Sequence, residues 1–191
     1  ATIALGWAAV LQAERPHAPG AVYTMTNSPS GNAVLIYSRA ADGTLTPAGS
    51  EMTGGVGTGG GLGNQGGLVL SDSNRWLLAV NAGSDEISLF AVTVQGLRLV
   101  DRVHSGGVMP VSVAIRGRLV YVLNAGGEGN IAGFRLSRRG SLDALPGSTR
   151  PLSGTGVGAA QIEFSPDGDF LVVTERLTNR IDIYEVDESG Y

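Results

Sequence analysis

Four stretches of the chain repeat one pattern: VYTMTNSPSGNAVLIY at 22–37, LLAVNAGSDEISLF at 77–90, VYVLNAGGEGNIAGF at 120–134 and LVVTERLTNRIDIY at 171–184. In each, an alternating apolar segment ending in Asn or Thr is followed by a short gap and by a second alternating segment that ends in an aromatic residue. The equivalent apolar residues recur every 44 to 53 positions, at Val34, Ile87, Ile131 and Ile181. Self-similarity at this spacing indicates a propeller or a solenoid, in which one repeat cannot bury its apolar faces alone.

Within each unit the apolar period is two, which indicates strands. A first strand is predicted at 67–70, 111–115 and 161–164, and a fourth strand after a Gly at 45–50, 97–103 and 142–145. Four antiparallel strands make a propeller blade. The sequence therefore predicts an all-β fold, a β-propeller of four-stranded antiparallel blades. The residues predicted to pack within or between blades include Leu68, Leu70, Leu78, Val80, Ile87 and Leu89.

The units are predicted at about 21–53, 67–107, 110–152 and 159–191, after a lead-in at 1–20. The first unit has nothing like a first strand before Val22, and the last has no fourth strand before Tyr191. We therefore expect about four blades of a larger ring, with unpaired strand edges that favour self-association.

Composition excludes several classes of function. The net charge is −4 and no basic stripe with interleaved aromatics occurs, so we expect no nucleic-acid partner. All 13 basic residues are Arg, which excludes a Lys Schiff base and a Walker-type phosphate loop within this sequence. The absence of Cys excludes disulfides and thiolate sites and leaves the redox compartment open.

The apolar run IALGWAAVLQA at 3–13 has the length of a signal-peptide core but lacks Met and a basic segment before it. A signal remnant, a short helix and a disordered lead-in all remain open, and with them secretion or a cytoplasmic location. The run is too short for a membrane span.

The insert GGVGTGGGLGNQGG at 54–67 contains glycines at dinucleotide-fingerprint spacing, but a strand follows it where the fingerprint needs a helix. We expect a mobile or ligand-ordered loop whose shortening changes stability little. The two histidines, His17 and His104, lack metal-ligand spacing. The sequence predicts neither a cofactor nor a metal site.

One position breaks the repeat. Where the other units place Asn27-Ser28, Asn81-Ala82 and Asn124-Ala125, the last unit places Thr174-Glu175, followed by Arg176. A carboxylate at this place is not required by the fold. It is either a surface acid paired with a neighbouring Arg, which contributes little stability, or part of a site.

The units GLVLSDSNRWLLAVNAGSDEISLFAV at 67–92 and QIEFSPDGDFLVVTERLTNRIDIYEV at 161–186 resemble blades of the lactonase family of seven-bladed propellers. That family includes bacterial 6-phosphogluconolactonases and fungal carboxy-muconate cyclases. The resemblance covers 20–191 and implies a ring of seven blades, of which this chain carries about four. It also implies a first blade completed by a strand from the far end of the chain.

The resemblance implies a catalytic Glu at the end of a second strand, which Thr174-Glu175 matches. It also implies a His paired with Arg or Pro at the start of a first strand. The corresponding stretches, at 66–67, 110–112 and 160–161, contain no His. Glu175 is thus the candidate catalytic residue, and the candidate substrate-binding residues are Arg176, Arg150, Asn124 and Asn81.

Three functions of different class remain open: an enzyme, a noncatalytic binding propeller and a purely structural or interaction repeat. A lactonase or lactone-forming cyclase acting on a small anionic sugar acid or carboxylic acid would use Glu175 as acid or base, with Arg150 or Arg176 holding the anion in the central channel. A noncatalytic propeller would bind a small molecule or a protein through its Gly-rich loops.

Overall fold

The computed structural model describes residues 20–187 and 190, which form fifteen strands and no helix. The run at 3–13 and His17, on which the hypotheses about the lead-in depend, lie outside the described residues. The strands form four antiparallel sheets, here called blades 1 to 4. Strands at successive positions in the sequence are neighbours in each sheet, as in a propeller blade.

Blade 1 contains β1 (Gly20–Met25), β2 (Ala33–Arg39) and β3 (Leu45–Met52). Blade 2 contains β4 (Leu68–Leu70), β5 (Trp76–Asn81), β6 (Glu86–Thr93) and β7 (Gly96–His104). Blade 3 contains β8 (Val108–Arg116), β9 (Leu119–Gly126), β10 (Asn130–Leu136), β11 (Leu142–Ala144) and β12 (Arg150–Pro151). Blade 4 contains β13 (Ala159–Phe164), β14 (Phe170–Glu175) and β15 (Arg180–Glu185).

The predicted blade architecture is confirmed. Blade 2 has all four strands in order, whereas among the described residues blade 1 begins with the second strand and blade 4 ends with the third. The strand that the sequence did not predict is β12, a two-residue segment that pairs with the start of β10 while β11 pairs with its end. Two pieces of chain thus share the fourth-strand position of blade 3.

Irregularities in the ladders recur at equivalent places. The pairing of β8 with β9 shifts between Pro110 and Ser112, and that of β13 with β14 shifts between Ala159 and Gln161. Because Pro110 and Ala159 pair with equivalent residues of the second strands, the two bulges occupy one register position. A bulge bends the strand that carries it and increases its twist, so the innermost strands of blades 3 and 4 bend alike.

The apolar core lies between the blades. Leu78, Val80, Ile87 and Leu89 of blade 2 are fully buried, as predicted, and pack against Val113, Val120 and Val122 of blade 3. The prediction that Leu70 is packed is wrong, since 38% of this residue is exposed. Leu70 pairs with Leu77, which faces blade 1. Among the described residues, blade 1 has no first strand that could cover Leu70 on this side.

The glycine-rich insert, which we call the strap (54–67), contacts all four blades. Its amides donate to Ser28 and Asn27 of blade 1, and its Val56 carbonyl accepts from Gly83 of blade 2. Further along, the Gly66 carbonyl accepts from Val113 at 2.8 Å and the Gln65 amide donates to Ala160 at 3.1 Å. The loop that the sequence analysis expected to be mobile therefore has defined contacts along its length.

Glycine is required in the strap where backbones meet. A Cβ at Gly57 would overlap the backbone of Asn27, and a Cβ at Gly55 would lie 2.5 Å from the Asn81 side chain. The strap's Leu62 packs against the cores on both sides of blade 3. The strap is therefore packed structure that ties the inner strands together.

The outer face of blade 4 is apolar and uncovered. Ile181 and Ile183 are each 65% exposed, whereas Ile87 and Leu89 at the equivalent positions of blade 2 are 0% exposed. The same alternating pattern therefore serves a buried interface in one blade and an open face in another. In the part of the chain that the structure describes, no helix has the length and apolarity needed to cross a membrane.

Candidate functional site

The strand register places Glu175 in a repeated position. Asn81 pairs with the first residue of β6, Asn124 with the first of β10 and Glu175 with the first of β15. The sequence comparison had matched Thr174 to these asparagines, which is wrong by one residue. Glu175 itself stands where blades 2 and 3 have Asn.

The two asparagines hold one blade to the next. The Asn81 amide nitrogen donates to Ser88 Oγ at 2.8 Å, and Ser88 Oγ donates to the Thr53 carbonyl of blade 1 at 2.8 Å. The Asn124 amide nitrogen donates to the Ser105 carbonyl, at the end of blade 2, at 3.2 Å. Both asparagines are 0% exposed, so the structure does not bring these two candidate binding residues to a surface.

Glu175 takes the same place with different chemistry. Its side chain is 1% exposed, and it accepts hydrogen bonds from the Ser153 amide at 3.0 Å, Ser153 Oγ at 2.5 Å and Thr178 Oγ1 at 2.6 Å. Burial by itself would raise the pKa of the carboxyl, but the hydrogen bonds from Ser153 and Thr178 outweigh it and lower the pKa to about 2. Glu175 is therefore a fixed, ionised acceptor.

A second carboxyl group, Asp182, lies against that of Glu175. Burial and then the hydrogen bond and negative charge of Glu175 raise the pKa of Asp182, against the opposing charge of Arg180. Within the described residues its Oδ2 is buried and has no hydrogen-bond partner. Sequence reasoning missed Asp182, although in the strand IDIY it has the parity of Ser88, whose hydroxyl faces an interface.

Tyr184 completes the cluster. Its hydroxyl donates to the Pro151 carbonyl at 2.9 Å. Burial, followed by the charges of Asp182 and Glu175, raises the pKa of Tyr184 to about 12. The phenol stays protonated at neutral pH and anchors the end of blade 3 to β15.

A cleft of about 410 Å³ opens beside this cluster. Ser153, Asp182 and Tyr184 line it together with apolar side chains of the same two blades. Glu175 is not among the lining residues and is more deeply buried than Asp182. The group that a molecule in the cleft meets is therefore the carboxyl with the raised pKa, which can hold or release a proton.

Of the two candidate arginines, Arg150 lines a small space between blades 3 and 4 that Tyr184 also lines. The Arg150 guanidinium donates to the Gly147 carbonyl at 2.5 Å and the Thr149 carbonyl at 2.9 Å, in the outermost part of blade 3. Arg176 is exposed and lies over the strap, where a Cβ at Gly63 would come within 2.7 Å of it. The positive charge that acts on Asp182 is that of Arg180.

Metal chemistry has no support in the described part of the chain, where no three His, Asp or Glu side chains converge. His104, at the end of β7, is exposed and accepts a hydrogen bond from the Gly106 amide at 3.1 Å. It is not part of the carboxyl cluster.

Residues 128–191 match the family described as lactonase, 7-bladed beta-propeller. The predicted resemblance is confirmed for this segment. The segment contains Glu175, Asp182 and Tyr184. The sequence has no significant match among proteins of curated function.

Solved structures share the fold. A protein from Lactobacillus plantarum is 14% identical, with a TM-score of 0.71 over 90% of this chain and 50% of its own. The periplasmic gluconolactonase of Pseudomonas aeruginosa is 20% identical, with a TM-score of 0.63 over 89% of this chain and 51% of its own. A protein from Bacteroides fragilis described as a candidate 6-phosphogluconolactonase is 19% identical, with a TM-score of 0.55 over 92% of this chain and 67% of its own.

This chain spans about half the length of the first two of these structures. At such identities the likeness concerns the fold alone, and one propeller fold serves many functions.

Proposed function

We propose that the protein hydrolyses lactones of small sugar acids or carboxylic acids, with Asp182 as the proton-transferring group and Glu175 as the residue that tunes it. One observation carries the proposal: two adjacent carboxyl groups, one with a lowered and one with a raised pKa, stand where blades 2 and 3 have Asn and a small side chain. Pairs of acids with separated pKa values are typical of acid–base sites. The lactonase match over 128–191 supports the class of substrate.

The arrangement suits ring opening. Ionised Asp182 takes a proton from water while the water oxygen attacks the lactone carbonyl carbon. The tetrahedral intermediate collapses, the ring C–O bond breaks, and the proton on Asp182 passes to the departing alkoxide oxygen. The product is the open-chain hydroxy acid, and the same group serves the reverse, lactone-forming reaction.

Glu175 acts through Asp182. Its charge is fixed by the donors on Ser153 and Thr178. Burial raises the pKa of Asp182 most, and the hydrogen bond and charge of Glu175 raise it further. A base is most effective when its pKa lies near the working pH. Arg180, whose charge reaches Asp182, is placed to attract an anionic substituent of the lactone.

The proposal is tested by incubating the purified protein with glucono-1,5-lactone or with its 6-phosphate. The rate of hydrolysis is measured by titrating the released acid at constant pH. We expect Asp182→Asn to lower the rate by about 10² or more, the usual scale of an acid or base. Glu185→Gln, which changes an exposed acid of the same strand, is the matched control and should retain the rate.

Glu175→Gln separates tuning from a purely structural role. Loss of its charge lowers the pKa of Asp182, so the acidic limb of the pH–rate profile should move to lower pH. A rate that falls equally at every pH would contradict the tuning role. An unchanged rate in Asp182→Asn would remove the proposal.

A second candidate is a noncatalytic ligand-binding propeller. It is favoured by the complete engagement of Glu175 with Ser153 and Thr178, which repeats the interblade contact of Asn81. In that case neither lactone is hydrolysed by the unmodified protein.

A further inference from the structure

At the other end of the strands, blades 2 and 3 form a second cleft, of about 410 Å³. Arg75 and Trp76 at the start of β5 line one side, and Arg118 and Arg138 of blade 3 line the other. β5 ends at Asn81, so five residues at ~3.3 Å each separate this cleft from the strand end that Glu175 occupies in blade 4. The two clefts are separate sites.

The cleft is strongly basic in an acidic protein. Three guanidinium groups line it, no Asp or Glu does, and the acid next to Ser73 in sequence, Asp72, is not among the lining residues. The net charge of the chain is −4. The charge of the cleft is therefore opposite in sign to that of the chain as a whole. Like charges in one cleft repel each other, and a bound anion would relieve that repulsion.

The arginine donors are available to a ligand. Arg118 donates through Nε to the Leu136 carbonyl at 2.7 Å, which orients its guanidinium, and its terminal nitrogens donate to no residue that the structure describes. The side chains of Arg75 and Arg138 are exposed and donate no hydrogen bond to any residue of 20–187 or 190. The ion pair between Arg102 and Glu86 lies outside this cleft.

The remaining lining adds hydroxyls and an aromatic wall. Ser73 and Ser137 lie in the cleft, and Ser137 Oγ accepts from Ser141 Oγ at 2.7 Å, which fixes its position. The Trp76 ring packs on Gly140, where a Cβ would come within 2.7 Å of the ring. One side of the indole is thus supported by blade 3 while the residue still lines the cleft.

We propose that this cleft binds a phosphate monoester, with the phosphate among Arg75, Arg118 and Arg138 and the organic group on Trp76. Guanidinium groups match the oxygens of a phosphate with paired hydrogen bonds. Aromatic side chains supply apolar contact area of defined geometry. The volume of the cleft lies in the range of small-molecule sites. Neither Glu175 nor Asp182 lines this cleft.

Isothermal titration with phenyl phosphate, inorganic phosphate and phenol, at constant ionic strength near 0.15 M, tests the proposal. We expect saturable binding of phenyl phosphate, weaker binding of inorganic phosphate and none of phenol. Equal affinity for phenyl and inorganic phosphate would overturn the role of Trp76, and no saturation by either would overturn the site.

The chain offers a matched pair of variants. Arg138 lines the cleft, while the adjacent Arg139, which is also exposed, does not. Arg138→Ala should weaken phenyl phosphate binding about tenfold, the scale of one charge-assisted hydrogen bond, and Arg139→Ala less than twofold. Equal weakening by both variants would mean nonspecific attraction and would contradict a defined site.

Quenching of Trp76 fluorescence is the second measurement. In a Trp7→Phe background the emission comes from Trp76 alone, since the chain has two Trp. Phenyl phosphate should change this emission with the affinity found by calorimetry. Binding without any change in emission would place the ligand away from Trp76.

Discussion

Blade 4 has two carboxyl groups at positions where blade 2 has Asn81 and Ser88. Both pairs lie on the face toward the preceding blade. In each pair one side chain forms a hydrogen bond with the end of that blade, Ser88 with Thr53 and Glu175 with Ser153. The amide and hydroxyl do this without charge. Two neighbouring carboxylates repel each other, so the pair in blade 4 is stable only while one of them keeps a proton or the fold supplies donors.

The two carboxyl groups affect stability with opposite sign. Glu175 has a folded pKa of about 2, below its ordinary 4.5, so its contribution is complete above about pH 4.5 and is lost as the pH falls toward 2. Asp182 has a folded pKa above its ordinary 3.8. It therefore lowers stability as the pH rises through that folded pKa.

We expect Glu175→Gln to lower the free energy of unfolding at pH 7 by about 1–3 kcal/mol, because Gln cannot accept all the donors that now meet the carboxylate. Asp182→Asn should raise it by up to about 1 kcal/mol, because it removes a like-charge neighbour on the same face. Urea unfolding at pH 7 measures both. Equal destabilisation by the two variants would show that Asp182 is a required acceptor and not a strained acid.

Of this pair, only Glu175 could be predicted from the sequence. Glu175 interrupts the repeated pattern at the end of the second strand, and such an interruption can be seen in the sequence. Asp182 alternates with Ile181 and Ile183 as an ordinary solvent-facing residue would. Its environment depends on the end of blade 3, where Ser153 and Pro151 line the same cleft, and no local sequence pattern encodes that proximity.

Among the elements, the strap differs most from its prediction. Nine glycines in 14 residues indicate flexibility when only composition is considered. The structure uses these glycines for close backbone approach, as at Gly57 over Asn27. Composition cannot distinguish the two uses, because the contacts are with residues far away in the sequence.

Leu62 tests whether the strap stabilises the fold. It packs against two interblade cores, so Leu62→Ala should lower the free energy of unfolding by about 1 kcal/mol or more, as expected for a partly buried Leu. Val94, which is 97% exposed in a turn of blade 2, is the control, and Val94→Ala should stay within about 0.5 kcal/mol. Equal effects in thermal or urea unfolding would mean that the strap contributes little.

At the scale of the whole molecule, the four-blade array has an apolar end. Ile181 and Ile183 present to solvent the positions that Ile87 and Leu89 bury, and β15 has an unpaired edge among the described residues. Exposed strands with apolar faces favour association. The self-association predicted from the sequence would use this face.

Replacing both Ile181 and Ile183 by Ser should therefore shift sedimentation-velocity profiles of this chain toward the monomer. The blade should remain folded, because both side chains are largely exposed. Thr46→Ala, on an exposed strand of blade 1, is the control and should leave the profile unchanged. An unchanged profile in the Ile variant would assign any association to another surface.

The architecture itself could be predicted from the sequence, because repeats, alternation and turn residues are local and recur four times. The third-blade strand β12 could not, since two residues leave no periodicity and pair only because the loop at 145–149 returns to β10. Leu70 was mispredicted for a similar reason. Alternation gives the face on which a side chain lies, and only the neighbouring blade decides whether that face is covered.

The strap also affects how the chain folds. In an array of repeats each unit meets only its neighbours, so folding can begin anywhere and spread. Here one segment joins Asn27 of blade 1 to Ala160 of blade 4, which are far apart in the sequence. Closing such long loops slows folding. Because no blade can complete its contacts until the strap is in place, the four blades should be lost and gained together as one cooperative unit.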